Sequence, residues 1–162
     1  MLPPPQTPLG KVPPLLLALL LLFSGNLHAT KVAEKTLPEL IAEADHVVIG
    51  TVTAVKMHTG ADLETTAPDS RTGPGLSNEL RWTVTLDPAG VLYSTRKTLP
   101  KEITIRLWKK WHMNLEDAKD HEGKTYILLL KGDDFQWVYP ASFYQPLTQR
   151  VEIEKLLAAK KP

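Results

Sequence analysis

The most chemically distinctive stretch of this 162-residue chain is a short run in which aromatic and basic side chains are concentrated. It contains Trp108, Lys109, Lys110, Trp111 and His112. Indole rings stack on flat apolar groups, and lysines attract anionic ones. We therefore predict these five residues as the ligand- or partner-binding surface, with Trp137 and Tyr139 as candidate neighbours. The alternative is structural: one of the tryptophans closes an end of the fold while the lysines stay in water.

Nucleic acid is a poor match for this run. The chain has 19 basic and 18 acidic side chains and a net charge of +1, so there is no broad basic field to release counterions from a phosphate backbone. The run fits recognition of a peptide, a glycan or another protein better.

Catalytic motifs are missing from the sequence. It contains no Gly-x-Ser-x-Gly elbow, no His-Glu-x-x-His, no phosphate-binding loop and no dinucleotide-binding glycine pattern. A triad assembled from distant residues would have to draw on Asp45, His46 and the serines, which are Ser70, Ser77, Ser94 and Ser142. We therefore predict no catalytic residues and a protein that is not an enzyme, with an enzyme using a non-local site as the second alternative.

Metal chemistry has little support. The chain has no cysteine, which excludes disulfides and thiolate sites, and no histidine has a second one four residues away. Asp117, Asp120, His121 and Glu122 would share one face of a short helix, either as a weak metal or proton site or as a solvated acidic surface. We favour the solvated surface and predict no metal and no cofactor.

The first 29 residues differ in composition from the rest. They hold six of the 14 prolines and one charged residue, Lys11, followed by nine consecutive apolar residues and a short stretch that ends at Ala29. This is the pattern of a cleaved signal peptide, and the apolar run is too short for a transmembrane helix. We expect an exported protein, periplasmic or secreted and most readily bacterial, because its 133 remaining residues carry no disulfide.

The spacing of apolar residues along the sequence predicts the helices and strands that position the binding run. A capping box at Thr36 and Glu39 begins a short helix, and a β-branched strand interrupted by Gly50 covers 46–56. A long flexible loop is predicted at 57–78. Further strands are predicted at 80–86, 103–107, 126–130 and 135–139, with a short helix at 115–121 and a C-terminal helix at 150–161.

This element order predicts a mainly β fold. Five antiparallel strands with a helix between the third and the fourth are the order of an OB-type Greek-key barrel, here with short flanking helices in a single domain over 30–162. The alternative is an open antiparallel sheet that carries helices on one face.

Two stretches carry a resemblance. Residues 40–52 resemble the opening of small exported bacterial proteins, in which a helix is followed by Ala-Asp, a hydrophobic run and a glycine, and residues 123–130 resemble their late strand. Both features are similar to domains of the tissue inhibitors of metalloproteinases, and this resemblance implies an OB barrel. In that family an N-terminal cysteine chelates the catalytic zinc of the protease. Here the expected new N-terminus is Thr30 and no cysteine exists, so the inhibitory mechanism does not carry over at that position.

The function that these observations favour is that of a non-catalytic exported binding or accessory protein. Its partner would be another exported protein or a glycan or peptide ligand, and the sequence does not fix its oligomeric state. The first alternative is a protease inhibitor that acts by a mechanism without cysteine.

Overall fold

The computed structural model describes residues 33–140 and 142–160, and the predicted signal peptide, residues 1–29, lies outside them. The described residues are mainly β, with short helices. The strands are β1 His46–His58, β2 Glu64–Thr65, β3 Glu79–Ser94, β4 Glu102–Arg106, β5 Thr125–Lys131, β6 Gln136–Trp137 and β7 Tyr144–Gln145. The helices are α1 Leu37–Glu43, α2 Leu115–Lys119 and α3 Arg150–Lys160, the last preceded by a 3-10 turn, Leu147–Gln149.

All the described strands belong to one antiparallel sheet built around β1. Its main order is β4-β3-β1-β5-β6, and the short strands β2 and β7 pair with β1 and β5. The prediction of a closed five-stranded barrel is wrong, because this is an open sheet of seven described strands. The antiparallel sheet and the helix between the third and fourth long strands are as predicted.

The sheet stays open because β6 is too short to form a backbone ladder with β4. A strand was expected over 135–139, but Phe135 lies in a turn with a φ of 54° and β6 covers only Gln136–Trp137, with one further hydrogen bond from Val138 N to Leu129 O of β5. Side chains bridge the gap instead. The Gln136 amide accepts from Arg106 N at 3.0 Å and donates to Thr104 O at 3.2 Å, and the Trp137 indole donates to Arg106 O at 2.7 Å.

Gly50 lies in the most crowded part of β1. The pairing of β1 with β3 changes register on either side of Val48, and a Cβ on Gly50 would lie 2.6 Å from Val84 Cγ1. A glycine inside a strand often marks a bulge or bend, and two register shifts lie just before Gly50, between Val47 and Val48 and between Val48 and Gly50. The absent side chain lets β3 and β5 pack closely on both sides of β1.

The core lies on both faces of the sheet. Neighbouring residues of β1 and β5 point to opposite faces of the sheet and belong to two clusters. We call the cluster that contains Val48 and Leu128 the inner cluster, and the cluster that contains Val47 and Leu129 the outer cluster. The inner cluster centres on Trp82, whereas α1 and α3 cover the outer cluster. This double coverage explains why β5 is apolar at nearly every position.

The helices follow their local sequence. The Glu39 carboxylate accepts from both the backbone N–H and the hydroxyl of Thr36, which caps α1 as the capping-box pattern predicted. These hydrogen bonds hold the pKa of Glu39 below its usual value. Among the described residues no helix is long and apolar enough to span a membrane.

The segment over 57–78, which was predicted to be a flexible loop, contains ordered contacts. Met57 and His58 end β1, and β2 pairs with them. Further on, Ser70 O accepts from Leu115 N at 2.9 Å, and Thr72 is 1% exposed. These contacts tie the segment to the residues before α2, while its mobility stays a prediction.

Candidate functional site

The predicted binding run lies in the connection between β4 and α2. The preceding strand ends at Arg106, and the run makes a turn in which Trp111 N donates to Trp108 O at 3.2 Å. Trp108 and Trp111 are half-buried and meet edge to face, with ring centroids 6.0 Å apart. Lys109, Lys110 and His112 are exposed. The run is therefore the tip of a loop instead of the strand end that its sequence suggested.

A shallow groove of about 380 Å³ opens beside this turn, and we call it the tryptophan groove. It is lined by Glu79, Arg106, Leu107, Trp108, Lys109, Lys110, Gln136 and Trp137. Trp137 thus stands beside Trp108, as predicted. Tyr139, the other predicted neighbour, packs against the outer cluster, where Lys35 Nζ lies 5.0 Å from the centre of its ring.

Both indole rings of the groove have fixed orientations. Trp137 is held by its hydrogen bond to Arg106 O, and the ring of Trp108 is backed by that of Trp111. Rings that are already oriented lose little conformational entropy when they bind a ligand. The apolar part of the groove is therefore preorganised.

The charge around the groove is predominantly positive. Glu79 is its one carboxylate, only 7% exposed, and it accepts from Arg81 Nε at 2.8 Å while Lys109 Nζ lies 3.5 Å away. Arg106 and Lys110 have no carboxylate within 4.0 Å in the part of the chain that the structure describes. The buried anion is thus neutralised, and two cations remain for an external group.

His112 belongs to a different surface. It lines a second open groove of about 500 Å³ together with Pro68, Asp69, Arg71, Met113, Asn114 and Glu116. Its imidazole lies against Gly73, where an added Cβ would be 2.7 Å from Nδ1. The structure therefore divides the predicted site: residues 108–110 face the tryptophan groove, Trp111 supports Trp108, and His112 turns towards the segment at 68–73.

The residues that a non-local triad would have to draw on meet only in part. Ser94 Oγ lies 2.9 Å from His46 Nδ1, and His46 Nε2 lies 3.2 Å from Gly132 O. A carbonyl oxygen only accepts, so Nε2 carries the proton of the neutral ring and Nδ1 accepts from the Ser94 hydroxyl. Asp45 accepts from Gly132 N at 2.8 Å instead of bonding to the ring. His46 is 1% exposed, and its hydrogen bonds join β1, β3 and the turn after β5.

The acidic cluster around α2 has structural roles. Glu122 Oε1 accepts from Val55 N at 2.7 Å, and Asp117 Oδ2 accepts from the side chain of Asn114 at 2.7 Å. His121 Nδ1 lies 2.9 Å from the Tyr126 hydroxyl, and burial, opposed in part by Asp120, lowers the pKa of this imidazole. Among residues 33–140 and 142–160 no three His, Asp or Glu side chains are placed to hold a metal ion.

No protein-family model matches the sequence, and no curated protein matches it.

Four residues that line the groove, Glu79, Arg106, Leu107 and Gln136, were not among the predicted site residues. Arg106 and Leu107 directly precede the predicted run, whereas Gln136 and Glu79 lie far from it in the sequence. Gln136 sits between two aromatic residues and reads as the solvent side of a strand, and Glu79 precedes a strand whose alternation begins at Leu80. Neither position carries a local pattern that indicates a site. The approach of β6 to β4 places Gln136 in the groove, and the pairing of β3 with β4 places Glu79 there. Both are contacts between distant parts of the chain.

Proposed function

We propose that this chain is a non-catalytic binding module that recognises its partner through the tryptophan groove. The observation that carries the proposal is the pairing of Trp108 and Trp137, from two distant parts of the chain, in one solvent-facing groove. Preformed aromatic grooves with a charged rim are typical of binding surfaces, where a few tryptophans contribute most of the affinity.

The hydrogen bonds of Ser94 and His46, the residues that an enzyme would use here, support a non-catalytic role. The Ser94 hydroxyl accepts from Arg96 N at 3.0 Å and donates to the buried His46, so both groups are already used in joining strands. A serine nucleophile needs an exposed hydroxyl beside its base and a place for the substrate carbonyl.

We also propose that the fold is related to OB-type barrels. The order β4-β3-β1-β5-β6 would become that of a five-stranded Greek-key barrel if β6 paired with β4, and the Gln136 and Trp137 side chains already join these two strands. The resemblance to the domains of the tissue inhibitors of metalloproteinases is consistent with that order and remains a proposal about ancestry.

Export is the second part of the proposal, and it rests on the leader sequence alone. Intact-mass measurement of the protein from the cells that produce it is expected to give a chain that begins near Thr30 in the extracytoplasmic fraction. Recovery of the full-length chain from the cytosol would contradict export.

Site-directed photo-crosslinking tests the groove. A photoreactive phenylalanine analogue at position 110 is expected to give a crosslinked partner, and the same analogue at the exposed position 155 is not. Trp108→Ala should abolish the adduct. Val151→Ala, which removes an apolar side chain that is 78% exposed elsewhere, is the matched control and should leave the adduct intact.

Circular dichroism must first confirm that each variant folds. An adduct at position 110 that survives Trp108→Ala and Trp137→Phe would contradict the assignment of this groove.

A further inference from the structure

The tryptophan groove has an apolar floor and a basic rim, and this combination indicates which kind of ligand it binds. Its floor is apolar, formed by the rings of Trp108 and Trp137 with Leu107 between β4 and the turn. Its rim carries three basic side chains, Arg106, Lys109 and Lys110, and its one carboxylate, Glu79, is already paired with Arg81 and Lys109.

Three basic side chains near the helices and the β1–β2 hairpin have close carboxylate partners, whereas Lys119 and Lys155 on the helices have none among the described residues. Lys35 pairs with Glu43 at 2.6 Å, Lys56 with Glu64 at 2.7 Å and Arg150 with Glu154 at 2.8 Å. At the groove, Arg106 and Lys110 have no such partner among the described residues. The groove differs from these helices because its unpaired cations lie beside an apolar floor. An occupant that brings carboxylates into contact with both would complete the pairing, and its apolar part would cover the indoles.

The backbone next to the groove favours a polypeptide over a sugar. Leu86 N donates to Lys101 O and Leu107 N donates to Leu80 O, so by antiparallel alternation Glu102, Thr104 and Arg106 direct their backbone groups away from β3. The Gln136 and Trp137 side chains bond to both backbone groups of Arg106 and to Thr104 O. Thr104 N and the groups of Glu102 are not reached by them, which leaves main-chain hydrogen-bonding positions along the edge that continues from the groove.

We propose that the occupant of the tryptophan groove is an acidic, extended polypeptide segment of a partner protein. Its carboxylates pair with Arg106 and Lys110, and an apolar side chain packs against Trp108 and Trp137. This inference rests on the proposed function and specifies the partner of the same groove.

Fluorescence anisotropy with the full-length protein tests the charge. The probe is a labelled peptide of about ten residues in which glutamates flank leucines, and its control has glutamine at each glutamate. We expect the glutamate peptide to bind at least about ten-fold more tightly, and its affinity to fall as salt rises from about 50 to about 300 mM, because the contacts lie at the solvent-exposed rim.

Charge reversal locates the contact. Arg106→Glu combined with Lys110→Glu is expected to weaken binding of the glutamate peptide by at least about ten-fold. Lys97→Glu combined with Lys155→Glu makes the same change in net charge at exposed positions away from the groove and should have little effect. Equal losses in the two double variants would overturn the proposal, as would equal binding of the two peptides or no binding of either.

A uronic acid oligosaccharide tests whether the carboxylates that bind the groove come from an acidic glycan instead of a polypeptide. If tetragalacturonate binds at the groove and the glutamate peptide does not, the occupant is an acidic glycan and the polypeptide proposal is wrong. The crosslinking experiment tests the groove independently of these binding experiments. If the polypeptide proposal fails, loss of the crosslink in Trp108→Ala would still support the groove as the binding surface. The two proposals therefore fail separately.

Discussion

Lys160 connects the last turn of α3 to the end of α1. Its ammonium donates to Ile41 O at 2.8 Å and to Ala44 O at 2.6 Å, and it lies 4.6 Å from the centre of the Tyr93 ring. These carbonyls belong to the C-terminal end of a helix, where a positive charge is favourable. Burial lowers the pKa of Lys160, opposed in part by Asp45, so desolvation offsets some of this gain.

Replacing Lys160 with methionine is therefore expected to lower the free energy of unfolding by about 1–2 kcal/mol. This is at the low end of what hydrogen bonds from a charged donor contribute, because desolvation of the ammonium offsets part of the gain. Urea unfolding measures the loss. Lys155→Met on the same helix removes an exposed lysine without an ion pair and should change stability by less than about 0.5 kcal/mol. Similar losses in both variants would show that the cap contributes nothing.

His121 makes stability depend on pH. Burial lowers its pKa from 6.5, so between pH 6.5 and the folded-state pKa the unfolded chain binds more protons than the folded chain. The stability that the neutral ring contributes is complete above pH 6.5 and is lost as the pH falls through this window. Lys124 acts in the same direction as burial, and Asp120 opposes it.

We expect the difference in unfolding free energy between wild type and His121→Gln to be largest near pH 8 and to narrow towards pH 5. The value at pH 8 serves as the control, because it measures only the lost hydrogen bond to Tyr126 and the lost ring contacts. A difference that stays constant from pH 8 to pH 5 would contradict the linkage.

Single residues show where sequence reasoning succeeds and where it ends. Trp108 was identified because it lies in a dense run of aromatic and basic residues, and Trp137 only as a candidate neighbour of that run. Glu79 and Gln136 could not be identified, because their roles depend on which strand lies opposite them. Ser94 was one of four candidate serines, and only the pairing of β1 with β3 places it against His46.

At the level of elements, the segment over 57–78 is hydrogen-bonded to the end of the turn over 108–111 and to the residues that follow it. Thr72 Oγ1 donates to Trp111 O, Thr72 N donates to Met113 O at 2.9 Å, and Arg71 bridges to Asn114. Its composition of glycine and proline predicted no such contacts, because hydrogen bonds between non-repetitive segments leave no periodic pattern.

Thr72→Val keeps the shape of this side chain and removes its hydroxyl. We expect a loss of about 1–2 kcal/mol of stability, because Trp111 O is left without this donor in a partly buried position. We also expect faster tryptic cleavage after Arg71 in the variant than in wild type, with cleavage after the exposed Lys97 as the internal reference. Rapid cleavage after Arg71 in the wild-type protein would support the predicted flexible loop instead.

Strong local patterns located the longer elements. The capping box placed α1, and period-two alternation placed β3 and β4. The strand predicted at 135–139 is reduced to β6 because the turn takes Phe135 into the core at positive φ, and alternation alone does not show this. The difference between a barrel and an open sheet came from that one shortened element.

In the whole molecule, β1 and β5 couple the two clusters of the core. Ile105 is 0% exposed in the inner cluster, and Ile153 of α3 is 0% exposed in the outer cluster. Because neighbouring residues of β1 and β5 pack into different clusters, disruption of the packing in one cluster should also destabilise the other.

Ile105→Ala and Ile153→Ala are each expected to cost about 2–5 kcal/mol. In both variants, tryptophan fluorescence, which includes Trp82 of the inner cluster, and far-ultraviolet circular dichroism should report the same unfolding midpoint. Separate midpoints for the two probes would show that the clusters unfold independently. A cost below about 0.5 kcal/mol for Ile105→Ala would mean that the inward face of β4 is misassigned.

The side-chain bridge between β4 and β6 also bears on self-association. A bare strand edge is a template on which another chain can add and begin to aggregate. Here the amide of Gln136 and the indole of Trp137 occupy both backbone groups of Arg106 and the carbonyl of Thr104, and the charged side chains of Glu102 and Arg106 flank what is left. These side chains therefore limit self-association along this edge to the main-chain groups that they leave free, Thr104 N and the groups of Glu102, which are the groups that the proposed polypeptide partner would use.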